Sequence, residues 1–204
     1  INAPPPAVEL VLSPMVAPFL MRYPQVRLEI VAEVSLIDIV AEGYDAGVRY
    51  GEHLAKDMIA VPLGPPERYV VVAAPAFLKM AGRIAEPRGL LDHPCIVTRF
   101  PSGMILPWEF EKGGRAVKIT PEGVFTATHI GIQLRAAIDG LGFHKTFEGY
   151  AHEAIQAGKL VTVLDDWCPR FPGPLLYYPS RRQLPPALGA FVGFVREWRK
   201  KPRA

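Results

Sequence analysis

Short apolar runs broken by glycines and prolines set the rhythm of this chain, most compactly in Ser35 to Gly51, SLIDIVAEGYDAGVRYG. Leu36, Ile39 and Val40 fall at i, i+3 and i+4, one apolar face of a two-turn helix. Gly43 stands where a left-handed residue ends such a helix, because it has no Cβ to penalise φ > 0. Asp45 to Tyr50 then reads as a strand. So short a helix is unstable alone, since nucleation costs more than a few hydrogen bonds return. It needs a sheet, and Val26 to Val31 supplies a neighbouring strand. Strand, helix and strand within roughly 25 residues predict a tight right-handed βαβ crossover.

The same reading extends along the chain. Ile1 to Ala3 is the end of a strand, and Pro4-Pro5-Pro6 fixes a stiff turn after it. A helix capped by Ser13, with Val16, Phe19 and Leu20 on one face, ends near Tyr23; Pro18 kinks it or makes it start late. Strands follow at Met58 to Leu63, Arg68 to Ala74 and Cys95 to Val97, with a short helix from Ala76 to Ala81. Lys112-Gly113-Gly114 joins Leu106 to Glu111 with Arg115 to Ile119 as a hairpin. Val124 to Thr126 is another strand. Thr128 caps a helix carrying Ile130, Leu134, Ala137, Ile138 and Leu141, which ends at Gly142. A helix from Phe147 to Ala157 stops at Gly158, strands run from Leu160 to Leu164 and Leu175 to Pro179, and a last amphipathic helix spans Pro186 to Arg199. Strands alternating with helices predict an α/β fold with mixed sheets.

Composition narrows this little. With 204 residues, 50% of them hydrophobic, the chain buries one good core or two small ones. No apolar run approaches the roughly 20 residues that cross a bilayer, so no membrane partner is expected. Cys95 and Cys168 sit in different apolar settings and read as free buried thiols of a cytoplasmic chain. The net charge of +3 is mild, and Arg196, Arg199, Lys200, Lys201 and Arg203 suit a solvated helix end better than a nucleic-acid surface.

Several strings together resemble one family. EGYDAGVRYG after RYP, LPWEF, LRAAIDGLGF, AGKLVTVLDDWCP and YPSRRQLPPALGAFVGFVREW are similar to the effector-binding half of LysR-type transcriptional regulators, over nearly the whole chain. The resemblance implies a two-lobed, periplasmic-binding-protein-like (type 2) fold. One lobe comprises residues 1–66 and 177–204, the other 67–176, with two crossing strands as a hinge and a small-molecule effector between the lobes. It also implies a homodimer, tetrameric in the full-length form, in which the helix ending near Tyr23 and the strand Val26 to Val31 meet the partner's helix Phe147 to Ala157. DNA would be bound only through a winged helix-turn-helix ahead of Ile1, which makes this chain a fragment of a longer regulator. Two stretches depart from the family's pattern. Pro4 to Pro6 replaces a loop that often offers small or hydroxylic residues, and Phe143-His144-Lys145-Thr146-Phe147 stands where an apolar strand is usual.

Loops at strand ends and helix N-termini are the natural ligand sites of such a fold, since their N–H groups lack partners. On that ground the effector-binding candidates are Pro5, Ala7, Val34, Ser35, Arg49, Thr98, Arg99, Phe100, Ser102, Thr128, His129 and Ile130. Ser35 and Thr128 double as N-caps. Arg99 suits bidentate contact with a carboxylate, and Arg49 either shares that task or pairs with Glu52 or Asp45. Phe100 and Trp167 offer apolar surface or simply core.

Enzyme signatures are missing. There is no G-x-S-x-G elbow, and His152-Glu153 lacks the second histidine of a zinc-protease helix because Gln156 stands there. His93 and Cys95 are too few for a structural zinc, and no cofactor is expected. Two rivals share the fold: a periplasmic solute-binding protein of a transporter, and an enzyme such as a dehydratase.

Overall fold

The computed structural model describes residues 1–35, 37–51, 57–180 and 184–200. The expectations attached to Leu36, Glu52, Lys201 and Arg203 fall outside these residues. The chain divides into two compact units, Ile1–Pro66 with Pro172–Ala204, and Glu67–Phe171. The second crossing thus precedes Pro172, earlier than the Leu176/Tyr177 boundary read from the sequence, and Leu175 and Leu176 already pair with Arg49 and Val48.

The first unit opens with β1 (Asn2–Ala3). The proline triplet does not form a turn: Pro5 and Pro6 begin a helix, which winds as a π-helix over Ala7–Leu12 and continues as α1 (Ser13–Arg22). Prolines fit a first turn because the N–H groups they lack have no intrahelical acceptor there. Ser13 is not a cap but lies inside the helix, with its N–H donated to Val8 O. Pro14 and Pro18 both lie on the exposed side of the helix, away from the core that Met15 and Phe19 face, and the helix runs through Pro18 without starting late. Its inner side is Met15 and Phe19, with Val16 and Leu20 half-buried.

Of the expected strand Val26 to Val31, only the last residue enters a ladder, in β2 (Val31–Ala32), parallel to β1. The following helix shrinks to one turn. Asp38 Oδ1 accepts the N–H groups of Val40 and Ala41 at 2.9 and 3.2 Å, a cap that the sequence reading gave to Ser35. Gly43, at φ 78°, ends the turn, with Tyr44 N bonded to Ile39 O and Gly43 N to Val40 O, a Schellman pair. β3 (Gly47–Arg49) and β4 (Met58–Pro62) follow. The crossover passes over β1, which lies between β2 and β3 in the sheet.

The second unit carries β5 (Tyr69–Ala73), α2 (Pro75–Ala81), β6 (Cys95–Thr98), the hairpin β7 (Trp108–Lys112) and β8 (Arg115–Ile119), and β9 (Gly123–Ala127). Then come α3 (Ile130–Ile138), β10 (Phe143–Phe147), α4 (Glu148–Gln156) and β11 (Val161–Val163). Gly140, not Gly142, ends α3: it holds φ 83° and makes the same Schellman pair, Leu141 N to Ala136 O and Gly140 N to Ala137 O. The sheet order is β11-β5-β10-β6-β9. Phe143 to Phe147 is thus a central strand whose five residues are all buried, His144 and Lys145 included. Strand alternation sends Val71, Cys95, Val97 and Phe143 into one apolar cluster and Val70, Val72 and Ile96 into another. Trp167 is part of the first cluster, so it is core.

The chain returns as β12 (Leu175–Pro179) and α5 (Pro186–Trp198), completing the first unit's sheet, β2-β1-β3-β12-β4. Phe19 meets Phe191 edge-on at 5.0 Å, and Leu12, Met15, Val192 and Val195 fill in around them.

Candidate ligand-binding site

In each unit, parallel strands end on one edge, and the candidates follow those ends. In α/β sheets that edge is where ligands bind, since chain ends and helix starts leave polar groups unpaired there.

In the first unit, Pro5 and Ala7 follow β1, Val34 and Ser35 follow β2, and Arg49 closes β3. Pro4, Pro5 and Pro6 carry no N–H, so Ala7, itself buried, is the first residue of this helix start with a backbone donor. Val34 and Ser35 are exposed. Arg49 is only 3% exposed, and its guanidinium faces neutral acceptors: Val48 O at 2.6 Å, Asn2 Oδ1 at 2.7 Å and Ser35 O at 2.9 Å. Asp45 is not among them, and Nε has no partner among the described residues. Asn2 in turn donates to Glu33 Oε2 at 3.1 Å. Arg49 therefore ties the Val34-Ser35 loop to β1, spending both Nη2 hydrogens to do so.

In the second unit, Thr98 ends β6 and Arg99, Phe100 and Ser102 follow it, while Thr128, His129 and Ile130 follow β9, its parallel neighbour. Arg99 N donates to Ala127 O at 3.1 Å, Leu106 N to Thr98 O at 2.8 Å, and Phe100 N to Met104 O at 2.9 Å, so TRFPSG folds into a small closed hairpin. The Arg99 side chain is exposed and bends back to Gly103 O at 2.9 Å. Phe100 is half-buried and Ser102 exposed. Thr128 does not cap α3. His129 does, its Nδ1 accepting Gly131 N–H at 3.1 Å, which requires that nitrogen to be unprotonated.

Two side chains that organise these loops escaped the sequence reading. Gln133 is 2% exposed, and its Nε2 lies within 3.1 Å of Val97 O, Thr98 Oγ1 and Ala127 O, joining the ends of β6 and β9. Asn2, fully buried, does the same for Arg49. The signal was a polar residue on an otherwise apolar face: Gln133 lies four positions before Ala137, and Asn2 lies inside a strand.

Below this edge, the second unit's central strand is electrostatically unusual. Burial pushes the His144 imidazole down to about 4, opposed only by its Nδ1 bond to Ile96 O at 3.0 Å. Burial also lowers the Lys145 ammonium to about 8, and its Nζ lies 3.9 Å from the Tyr69 ring centroid. On this unit's α4, Glu148 accepts from Arg68 at 2.6 Å and from Arg170 at 3.0 Å, and the Arg68 bond holds the carboxyl below its usual range. Among the described residues no cluster of three or more His, Cys, Asp or Glu side chains has metal-site geometry, and no helix is long and apolar enough to cross a membrane.

Known proteins with similar sequences and folds point one way. A protein of Pseudomonas aeruginosa named as a transcriptional regulator is 41% identical over 93% of this chain and 62% of its own length. The Escherichia coli HTH-type transcriptional regulators YcaN and PgrR are 35% and 34% identical, over 96% and 91% of this chain and 64% and 62% of theirs. The chain thus spans under two thirds of the length of these relatives. The regulatory domain of AphB from Vibrio vulnificus has the same fold, with a TM-score of 0.83, 23% identity, and 97% of this chain and 96% of that one covered. The regulatory domain of CrgA from Neisseria meningitidis aligns with a TM-score of 0.77 at 24% identity, over 97% and 96%. The LysR substrate binding domain model matches residues 1–200. By that match, the chain is a member of the LysR substrate-binding domain family.

Proposed function

We propose that this chain is the effector-sensing part of a LysR-type transcriptional regulator, binding a small molecule through the loops that follow the parallel strands. The observation that carries this reading is the double clustering just described: in each unit, candidates separate in sequence gather at one sheet edge, held by a buried polar side chain, Arg49 in one and Gln133 in the other. Effector binding would favour one conformation over another through differential affinity, with no bond made or broken. The part of the relatives that this chain does not span is where a DNA-contacting segment belongs, in keeping with their HTH-type names. Self-association as a dimer and a cytoplasmic location complete the proposal. The regulator names among the relatives favour it over a transporter's solute-binding protein.

Arg49 and Arg99 lean the effector toward a small carboxylate, although Arg49 already serves three acceptors. A thermal-shift screen of small carboxylates, neutral analogues and amines tests this. A ligand present at a hundred times its Kd stabilises by roughly 2.7 kcal/mol, a clear shift of the melting temperature. Stabilisation by amines alone would remove the carboxylate assignment.

A further inference from the structure

Gln133 is a buried amide beside a half-buried threonine hydroxyl, and the chemistry of its neighbours fixes which way round it sits. Val97 O and Ala127 O, each 3.1 Å away, are carbonyls and only accept hydrogen bonds. The group facing them is therefore the NH2, and Thr98 Oγ1, 3.0 Å from the same nitrogen, faces a donor too. An amide nitrogen has no lone pair to offer. However its two hydrogens are shared among the three acceptors, the Thr98 hydroxyl proton has to turn away from Gln133. Among the described residues no bond takes up that proton: the only hydrogen bond of Thr98 Oγ1 is the one from Gln133. Thr98 ends β6 at the sheet edge, next to the loop of Arg99 to Ser102.

We infer that Gln133 is a positioning residue that fixes Thr98 as a hydrogen-bond donor to an oxygen atom of the effector, an oxyanion or carbonyl rather than an ammonium. This rests on the sensing function proposed above and adds to it the polarity of one contact. Fixed in that sense, the threonine selects: an acceptor meets a proton already aimed, while a cation meets a hydroxyl whose oxygen is turned to Gln133. Leucine at 133 would orphan two buried carbonyls and loosen the loops, whereas valine at 98 keeps the side-chain shape and removes the hydroxyl, leaving the Gln133 amide its two carbonyl acceptors, Val97 O and Ala127 O.

The experiment uses the 204-residue chain, isotopically labelled, titrated with benzoate, succinate, benzylammonium and ethylammonium while backbone amide resonances are followed, for wild type, Thr98→Val, Thr98→Ser and Gln133→Glu. Expected is a shift of the Arg99, Phe100 and Gly131 amides by a carboxylate, weakened about tenfold or more in Thr98→Val. Thr98→Ser, which restores the hydroxyl, should recover it. Gln133→Glu, whose carboxylate accepts the Thr98 proton, should weaken it as Thr98→Val does. A carboxylate bound with wild-type affinity by Thr98→Val overturns the inference and leaves the sensing function standing. So does binding by the ammonium compounds alone. No response to any of the four compounds counts against both.

Discussion

His144 and Lys145 are adjacent in β10 and point to opposite faces of the sheet, and each is a buried base without a carboxylate hydrogen bond among the described residues. For His144 the folded value near 4 lies below the ordinary 6.5, so between those values the unfolded chain binds a proton that the folded chain refuses. Stability is therefore intact above about pH 6.5 and falls as the pH drops toward 4, by about 3 kcal/mol in full. Urea unfolding of wild type against His144→Leu across that range checks this, since the variant lacks the corresponding loss. Lys145 is charged in both states at pH 7, and its burial is a standing cost. Between about pH 8 and 10.5 only the unfolded chain keeps the proton, so wild-type stability rises there. Lys145→Met should be more stable than wild type at pH 7 by about 1–3 kcal/mol, less the contact with the Tyr69 ring, and the gain should shrink toward pH 10.5. A Lys145→Met variant less stable than wild type at pH 7 would show that ring contact dominates. At Gly142 the constraint is steric: a Cβ there would lie 2.3 Å from Pro94 O, a backbone atom. Gly142→Ala should lower stability by at least about 2 kcal/mol in the same unfolding measurement.

At the scale of elements, helix ends matter more than helix interiors. Three helical segments end in the same way, with Gly43, Gly140 and Gly158 in the left-handed region and paired bonds back into the last turn. Gly43 and Gly158 were legible from the sequence because each closes an apolar periodic run. Gly140 was not, because Leu141 extends the apolar pattern past the true end. N-termini were read poorly for a related reason. Ser35, Ser13 and Thr128 are good caps by residue type, but the first lies in a bend, the second inside a helix and the third one place too early. Capping depends on where the backbone leaves the extended region, which a side chain's identity does not set. Asp38→Ala should cost about 1 kcal/mol and speed amide hydrogen exchange at Val40 and Ala41, whose N–H groups it now serves.

For the whole molecule, the resemblance implied a division into two lobes at residues 66 and 176, whereas the compact units change over at Pro66 and Phe171, and nothing in Pro172-Gly173-Pro174 distinguishes a boundary from a turn. Dimerisation belongs to this scale as well. Sedimentation at micromolar concentration should give twice the chain mass if the family's assembly applies, and a sharp monomer would remove the proposed dimer. Glu148 binds both Arg68 and Arg170 within the second unit, so Glu148→Gln should lower the melting temperature, and the loss should shrink in acid, where the wild-type carboxylate is protonated as well.

Sequence alone settled the class of fold, because periods of two and of about 3.6 residues follow from local backbone geometry. It also settled the family, through strings too long to recur by chance. The candidate loops were legible too, because breakers mark strand ends. What only the tertiary structure decided was the order of strands, which placed β1 between β2 and β3, and the partners of buried polar groups. Arg49 with Asn2, and Gln133 with Thr98, join residues 47 and 35 positions apart. No local pattern encodes such pairs, since what selects them is the cost of leaving a buried donor unsatisfied once the sheets have formed.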